Sequence, residues 1–143
     1  MQADYTVNNL AELAAVAQEL VAGPLQTYRK VFLDAPMGAG KTTLVHYLLQ
    51  ALGGQEEGSS PSYSLINEYG LQGSPLLVRH ADLYRLDSLE EALEIGIEDY
   101  LEDEHYFFVE WPEILLPLLA ENALHLRILV QEEGKRQIFL EKM

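Results

Sequence analysis

The sequence predicts an α/β protein built on a mixed β-sheet, and three observations support this class. A glycine-rich segment at residues 35–43 lies between an apolar run at 30–33 and a run at 44–52 whose apolar residues recur at helical spacing. Several other short apolar runs have the length of strands. Two of them, at 65–69 and 76–82, are separated by a short stretch with glycine and proline, which predicts an antiparallel hairpin. Because helical crossovers join parallel strands, a hairpin beside them makes the sheet mixed.

Local signals justify the individual elements. The predicted elements are, in order, strand 4–7, helix 10–21, strand 30–34, helix 44–52, strands 65–69 and 76–82, helix 89–95, a helical turn at 98–101, strand 106–109, helix 113–119, and strands 123–130 and 136–141. Asn8 or Asn9 caps the first helix, and Ser88 and Glu91 form a capping box at the third, over 89–95. The run at 106–109 is wholly apolar, as expected of a central strand covered on both faces.

The glycine-rich segment has the layout of a P-loop, namely a strand, a glycine-rich turn, Gly-Lys-Thr and a helix. The N–H groups of residues 37–43 can point into one concavity and hold phosphate oxygens. Gly38 and Gly40 permit backbone conformations and close approaches that a side chain would block. Ala35-Pro36 departs from the pattern, since a glycine usually opens the loop. The segment therefore predicts a nucleotide-binding protein.

Four side chains are predicted at the phosphates and at Mg²⁺. Lys41 is placed to reach the terminal phosphates, and the Thr42 hydroxyl is placed to bind Mg²⁺. Glu110 ends the apolar strand, where P-loop folds hold an acidic residue that binds Mg²⁺ directly or through water. Asp82 also ends a strand. Its carboxylate would share the metal shell or orient the attacking water, or it would cap the turn at 83–85.

The two serines at 62 and 64 and the single tryptophan have two interpretations each, whereas one histidine has a single interpretation. The hydroxyls of Ser62 and Ser64 precede a strand and would sense a γ-phosphate as a switch loop does, although Ser-Pro is also common in plain turns. Trp111, the single tryptophan, is either a core aromatic or part of a binding surface, because it follows Glu110 at a strand end. His80 is predicted to be a structural histidine.

Composition limits the partners and the compartment. The 143 residues fit one domain, 1–143, and no apolar run approaches the roughly 20 residues that span a bilayer. The first residues lack the regions of a signal peptide and the chain has no cysteine, so we expect a cytoplasmic protein. With 23 acidic residues against nine basic ones, a net charge of −14 leaves no broad basic face for nucleic acid. Any contact with RNA would be indirect, through a partner.

Four stretches in this order resemble the TsaE family, small P-loop ATPases required for the threonylcarbamoyladenosine modification of bacterial tRNA. These stretches are Gly38-Ala39-Gly40-Lys41-Thr42-Thr43-Leu44, Ser60-Pro61-Ser62-Tyr63-Ser64-Leu65, His80-Ala81-Asp82-Leu83-Tyr84-Arg85-Leu86 and Val109-Glu110-Trp111-Pro112-Glu113. The resemblance covers nearly the whole chain. It implies a P-loop NTPase-like three-layer fold, with a mixed and mainly parallel sheet flanked by helices, and a single ATPase domain.

The resemblance also implies a site and partners. It implies ATP and Mg²⁺ as cofactors and action in a complex with TsaB and TsaD. It assigns Lys41 and Thr43 to phosphate, and Thr42 and Glu110 to Mg²⁺. It makes residues 60–65 a switch-like loop, and Asp82 and Trp111 functionally required. The family usually has Gly-Asp where this chain has Ala35-Pro36, and threonine is common where it has Ser62 and Ser64.

Two alternatives to an ATPase subunit stay open at this point. A small-molecule kinase would need cationic groups and a lid, whereas the chain has few arginines and no visible lid insertion. A non-catalytic module would use ATP only to clamp a partner. For hydrolysis within the chain, Arg85 and Arg136 are the arginines that folding can bring to the phosphates.

Overall fold

A computed structural model describes residues 2–36, 38–54, 65–118 and 123–142. Its strands and α-helices are β1 (Gln2–Val7), α1 (Leu10–Ala22), β2 (Lys30–Asp34), α2 (Lys41–Leu52), β3 (Ile66–Leu71), β4 (Ser74–Asp82), α3 (Leu89–Glu94), α4 (Ile97–Glu102), β5 (Tyr106–Glu110), β6 (Ala123–Val130) and β7 (Arg136–Lys142). Short 3₁₀ turns cover Pro24–Gln26, Pro112–Leu118 and Glu132–Gly134.

The described strands form one mixed sheet in the order β1-β7-β6-β2-β5-β4-β3. The four central strands, β6, β2, β5 and β4, pair in parallel. Both margins are antiparallel, because β7 pairs with β6 and with β1 on one side, and β3 pairs with β4 on the other. The predicted mixed sheet and its hairpin are thus confirmed, and the parallel block at its centre brings the carboxyl ends of β2, β4 and β5 to one edge.

Helices cover both faces of this sheet, and β2 shows how the two faces alternate. Val31 and Leu33 are buried in one hydrophobic cluster with residues of α1 and α2. Phe32, between them, is buried in a second cluster with Phe107 and with residues of α3, α4 and the 3₁₀ turn at 112–118. Successive side chains of a strand point to opposite faces, so two apolar cores lie above and below the sheet. This is the predicted three-layer arrangement.

Three predicted helix ends are confirmed, the starts of α1 and α3 and the end of α2. The Asn9 side chain accepts a hydrogen bond of 2.9 Å from the Glu12 N–H, and the Ser88 hydroxyl accepts one from the Glu91 N–H. Gly53, at the end of α2, has φ +82°, the left-handed conformation that glycine adopts without a Cβ penalty. No α-helix in the described ranges combines the length and the apolar character needed to cross a bilayer.

Three predicted boundaries are wrong. The hairpin turn was predicted over 70–75, but β3 runs to Leu71 and β4 begins at Ser74, because Gly73 takes φ +75° and closes a tight turn. The helix predicted over 89–95 ends one residue earlier, at Glu94, whereas the helical turn predicted at 98–101 is confirmed and lies within α4. The helix predicted over 113–119 is the 3₁₀ turn, whose internal proline, Pro117, has no N–H to donate.

A buried ion cluster ties β2 and β4 to the loop after α4, at the amino end of β2. Lys30 is 5% exposed, and its Nζ donates to Asp103 Oδ1 at 2.8 Å and to the carbonyls of Tyr100 and His105. Arg79 also pairs with Asp103. Burial raises the pKa of Asp103, but hydrogen bonds from Lys30 and from the His105 N–H outweigh it and hold that pKa below its ordinary value.

Asp103→Asn is expected to lower the free energy of unfolding at pH 7 by about 3 kcal/mol, because it leaves the Lys30 ammonium buried without its counter-charge. Urea unfolding measures this loss. Since the pKa of Asp103 is lowered by folding, its contribution is complete above about pH 4 and fades as the pH falls further, so the variant and the wild type should converge in acid. Glu102→Gln, an exposed neighbour without a side-chain partner in the described ranges, should change stability by less than about 0.5 kcal/mol. Equal stability of Asp103→Asn and the wild type at pH 7 would contradict this account.

Candidate nucleotide-binding site

The loop between β2 and α2 opens onto a cavity of about 340 Å³ at the carboxyl edge of the parallel strands. Leu33 of β2 and Asp82 of β4 both pair with Glu110 of β5, so three strand ends meet there. The described residues that line the cavity are Gly38, Gly40, Lys41, Thr42, Thr43, Asp82, Tyr84, Glu110 and Trp111. Among the predicted site residues, Ala39 is buried beside this cavity, at 1% exposure. Ser62 and Ser64 lie outside the described residues.

The loop has the backbone that its glycines were predicted to allow. Gly38 has φ +82° and Gly40 has φ +101°, values that side chains disfavour. Between them, the Ala39 N–H donates to the Pro36 carbonyl and closes a turn. Gly40 precedes the first turn of α2, and no side chain of the described chain caps that helix end. The N–H groups of this first turn therefore remain available to an anion, which the helix dipole favours.

Lys41 folds back across the loop. Its Nζ donates to the Ala35 carbonyl at 2.8 Å and lies 3.6 Å from the centroid of the Trp111 ring. Ala35 takes the place of the usual glycine, and the contact is made by its carbonyl rather than by its side chain. An alanine at this position can therefore make the same contact to Lys41 as a glycine. The ammonium group lies in the cavity, over an aromatic face that stabilises its charge.

Glu110 is 4% exposed and is held by two donors. The Thr42 hydroxyl donates to it at 3.2 Å, and His80 Nε2 lies 2.5 Å from its Oε2. Burial raises the pKa of Glu110, but the hydrogen bond and charge of His80, the Thr42 hydroxyl and the charge of Lys41 outweigh burial and hold that pKa below its ordinary value. Since an ionised carboxylate can only accept, His80 Nε2 carries the hydrogen of this bond.

The oxygens of Thr42 and Glu110 fit a magnesium ion that is completed by its substrate. Hydroxyl and carboxylate oxygens are hard ligands, and Mg²⁺ commonly binds one or two carboxylates together with phosphate oxygens and water. Within the described ranges no three His, Asp or Glu side chains are grouped to hold a metal by themselves. An ion here would therefore take its remaining ligands from a nucleotide and from water.

Asp82 caps a turn, which was one of its two predicted uses, and it also lies at the cavity. Its Oδ1 accepts from the Tyr84 N–H at 3.0 Å, which caps the turn after β4. The same exposed residue lines the cavity with Glu110, to which it is paired across β4 and β5. It also borders a second cavity, of about 390 Å³, lined in part by Arg85 and Asn67. Capping and a position at the site are therefore compatible.

Sequence reasoning did not place two residues at this site. His80 is satisfied, as predicted, but its partner is Glu110, so it belongs to the site. The period-2 alternation of β4 was a usable signal, because it puts His80 on the same face as Asp82. Tyr84 has its ring 5.1 Å from that of Trp111, and both line the cavity. Trp111 has φ +56°, a backbone state that non-glycine residues adopt mainly at special sites.

A P-loop between a buried parallel strand and a helix, on a three-layer sheet, places the chain in the P-loop class of α/β proteins. The model of the family described as threonylcarbamoyl adenosine biosynthesis protein TsaE matches residues 7–138. The chain belongs to the TsaE family, and the resemblance read from its four stretches is confirmed.

Individual proteins of this family, and one solved structure, are similar to the chain over most of its length. The tRNA threonylcarbamoyladenosine biosynthesis protein TsaE of Haemophilus influenzae is 42% identical over 98 residues, which are 68% of this chain and 61% of that protein. The protein of the same name from Rickettsia felis is 33% identical over 131 residues, which are 91% of this chain and 74% of that protein. The crystal structure of YdiB from Bacillus subtilis superposes with a TM-score of 0.73 at 24% identity, covering 99% of this chain and 86% of that one. At this identity the superposition shows the fold.

Proposed function

We propose that this chain binds and hydrolyses ATP as a subunit of the system that forms threonylcarbamoyladenosine in tRNA, and that it acts in a complex with TsaB and TsaD. Its curated relatives carry the name of that modification. The single observation that carries the ATP site is the contact between Thr42 and the ionised Glu110, at the foot of an uncapped helix. This arrangement suits a nucleotide whose phosphates bring their own magnesium ion.

Binding would use the loop backbone and three side chains. The N–H groups at the start of α2 would hold phosphate oxygens, and Lys41 would reach the terminal phosphates. Thr42 and Glu110 would hold Mg²⁺, which neutralises charge on the phosphates when bound. His80 keeps Glu110 ionised and fixes one of its oxygens. Glu110 therefore enters binding as a charged and oriented ligand.

Hydrolysis would depend on Asp82, the second carboxylate at the carboxyl edge of the parallel strands. We assign Asp82 to the orientation of the attacking water, because it lines the cavity beside Glu110 and is exposed to solvent. Thr43 would add a phosphate contact, and Ser62 and Ser64 would sense the γ-phosphate. The chemistry on the tRNA base would belong to the partners.

The surface charge supports an indirect relation to tRNA. A net charge of −14 repels a phosphate backbone. The same charge would steer the chain toward a basic face of its partners. We therefore place the tRNA on the partners and this chain beside it, in the cytoplasm.

The direct test is an omission experiment in a purified modification system containing TsaB, TsaD and tRNA, with threonylcarbamoyladenosine measured by mass spectrometry. Multiple-turnover formation is expected when this chain and Mg-ATP are both present. It should be lost when the chain is omitted. Unchanged multiple-turnover formation without the chain would overturn the proposal.

Trp111 is expected to report nucleotide binding through its own fluorescence. Its ring contacts the Lys41 ammonium, and Mg-ATP should draw that ammonium toward phosphate and so change the surroundings of the ring. Because it is the sole tryptophan, no label is needed. A fluorescence titration with Mg-ATP should reach saturation at the stoichiometry found by calorimetry, and Trp111→Phe should abolish the signal. Constant emission at calorimetric saturation would place the nucleotide away from Trp111.

A further inference from the structure

Arg136, the first residue of β7, reaches back to the phosphate-binding loop. Its Nε donates to the Ala39 carbonyl at 2.6 Å, and its Nη1 donates to the Gly134 carbonyl at 3.1 Å. The side chain is half-buried, and its Nε lies 3.6 Å from the place that a Cβ on Gly40 would occupy. One guanidinium thus joins the last hairpin of the chain to the loop between β2 and α2.

This contact determines which way one peptide unit of the loop faces. The Ala39 carbonyl and the Gly40 N–H belong to the same planar trans peptide, so they point in opposite directions. Holding the carbonyl toward Arg136 directs the Gly40 N–H away from Arg136. Gly40 lines the cavity, whereas Arg136 is not among the described residues that do. Without an anchor this peptide would rotate easily, because Gly40 has φ +101° and no Cβ to restrain it.

We propose that Arg136 is a positioning residue that orients the peptide between Ala39 and Gly40, so that the Gly40 N–H faces a phosphate group of the nucleotide. The inference rests on the proposed ATP binding and adds a residue to it. An arginine suits this task because its planar guanidinium supplies two donors in fixed geometry, one for each carbonyl, whereas a lysine presents a single flexible ammonium. The loop then has its donor preorganised before the nucleotide arrives.

The sequence suggested a different use for Arg136, as an arginine that stabilises charge during phosphoryl transfer. In the structure its Nε and Nη1 are engaged by backbone carbonyls. The geometry therefore favours a role of Arg136 in nucleotide affinity. The two roles predict different results. A positioning residue acts on ADP as well as on ATP, whereas a transition-state arginine acts on the hydrolysis rate.

The test compares three variants for Mg-ATP and Mg-ADP affinity by calorimetry, together with the Gly40 amide resonance in ¹⁵N-labelled protein. Arg136→Gln is expected to weaken both nucleotides roughly tenfold, the effect of losing one charge-assisted hydrogen bond. It should also move the Gly40 resonance in the nucleotide-free protein. Arg136→Lys should restore only part of the affinity. Lys135→Gln removes the same charge one residue away and should leave affinity within about twofold.

Each outcome decides one of the two proposals. Wild-type affinity in Arg136→Gln, or an equal loss in Lys135→Gln, overturns the positioning role and leaves the proposed ATP binding intact. Absence of Mg-ATP binding in the wild type overturns the proposed function, and the positioning role with it. If circular dichroism shows that Arg136→Gln does not fold, the nucleotide affinity of Arg136→Lys tests the proposal instead. Wild-type affinity in Arg136→Lys would overturn the role of the two guanidinium donors.

Discussion

Lys41→Ala is expected to weaken Mg-ATP binding roughly ten- to a hundredfold, the loss typical of a charge-assisted contact. The Lys41 ammonium lies in the cavity, held by the Ala35 carbonyl and the Trp111 ring. These are contacts that a phosphate can replace, because neither partner carries a full negative charge. Lys41 is therefore positioned to transfer to the nucleotide rather than to remain in the core.

The control for this prediction separates the charge of Lys41 from its packing. Lys41 is 6% exposed, so truncation to alanine also removes a buried aliphatic stem. Lys41→Met keeps a stem of similar length without the ammonium. It should lose affinity as Lys41→Ala does, while its melting temperature without nucleotide stays closer to that of the wild type. Calorimetry and thermal unfolding provide the two measurements, and wild-type affinity in either variant would refute the assignment of the loop to phosphate binding.

Much of the site was predictable because its features can be recognised from residues that are adjacent in sequence. These features are the apolar run before the loop, the two glycines and the Gly-Lys-Thr at the start of α2. The proximity of Asp82 and Glu110 needed one further rule, that parallel strands place their carboxyl ends at one edge. The structure brings these ends together through the pairing of β5 with both β2 and β4.

The contacts that escaped prediction join elements distant in the chain. The bond between His80 and Glu110 depends on β4 lying beside β5, and sequence order does not give strand order. Arg136 and Ala39 are 97 residues apart, and no periodicity links them. Tyr84 meets Trp111 only because the turn after β4 and the end of β5 share an edge. Sequence reasoning therefore supplied the candidate ligands, whereas the residues that hold those ligands in place required the fold.

The surroundings of the cavity also bear on the rate of hydrolysis. Phosphoryl transfer needs positive charge at the transferring and leaving oxygens, and an arginine commonly supplies it. Among the described residues that line the cavity, Lys41 is the one with a cationic side chain. Arg136 holds two backbone carbonyls outside it, and Arg85 lines the second cavity beyond Asp82. The described chain thus offers nucleotide contacts without an arginine at the phosphates.

The isolated chain is therefore expected to hydrolyse ATP slowly, and the proposed partners should accelerate it, by roughly 10³–10⁵ if they supply an arginine in trans. Phosphate release measured under steady-state conditions, with and without TsaB and TsaD, tests this expectation. Glu110→Gln should abolish the stimulated rate, because it removes the charge proposed to hold Mg²⁺. Turnover of about 1 s⁻¹ or faster by the isolated chain, without any response to partners, would contradict a complex-dependent ATPase.

The alternative in which ATP only clamps a partner predicts a different result. A non-hydrolysable ATP analogue would then support multiple-turnover tRNA modification as well as ATP does. If the analogue supports no more than the first round, hydrolysis is what resets the complex.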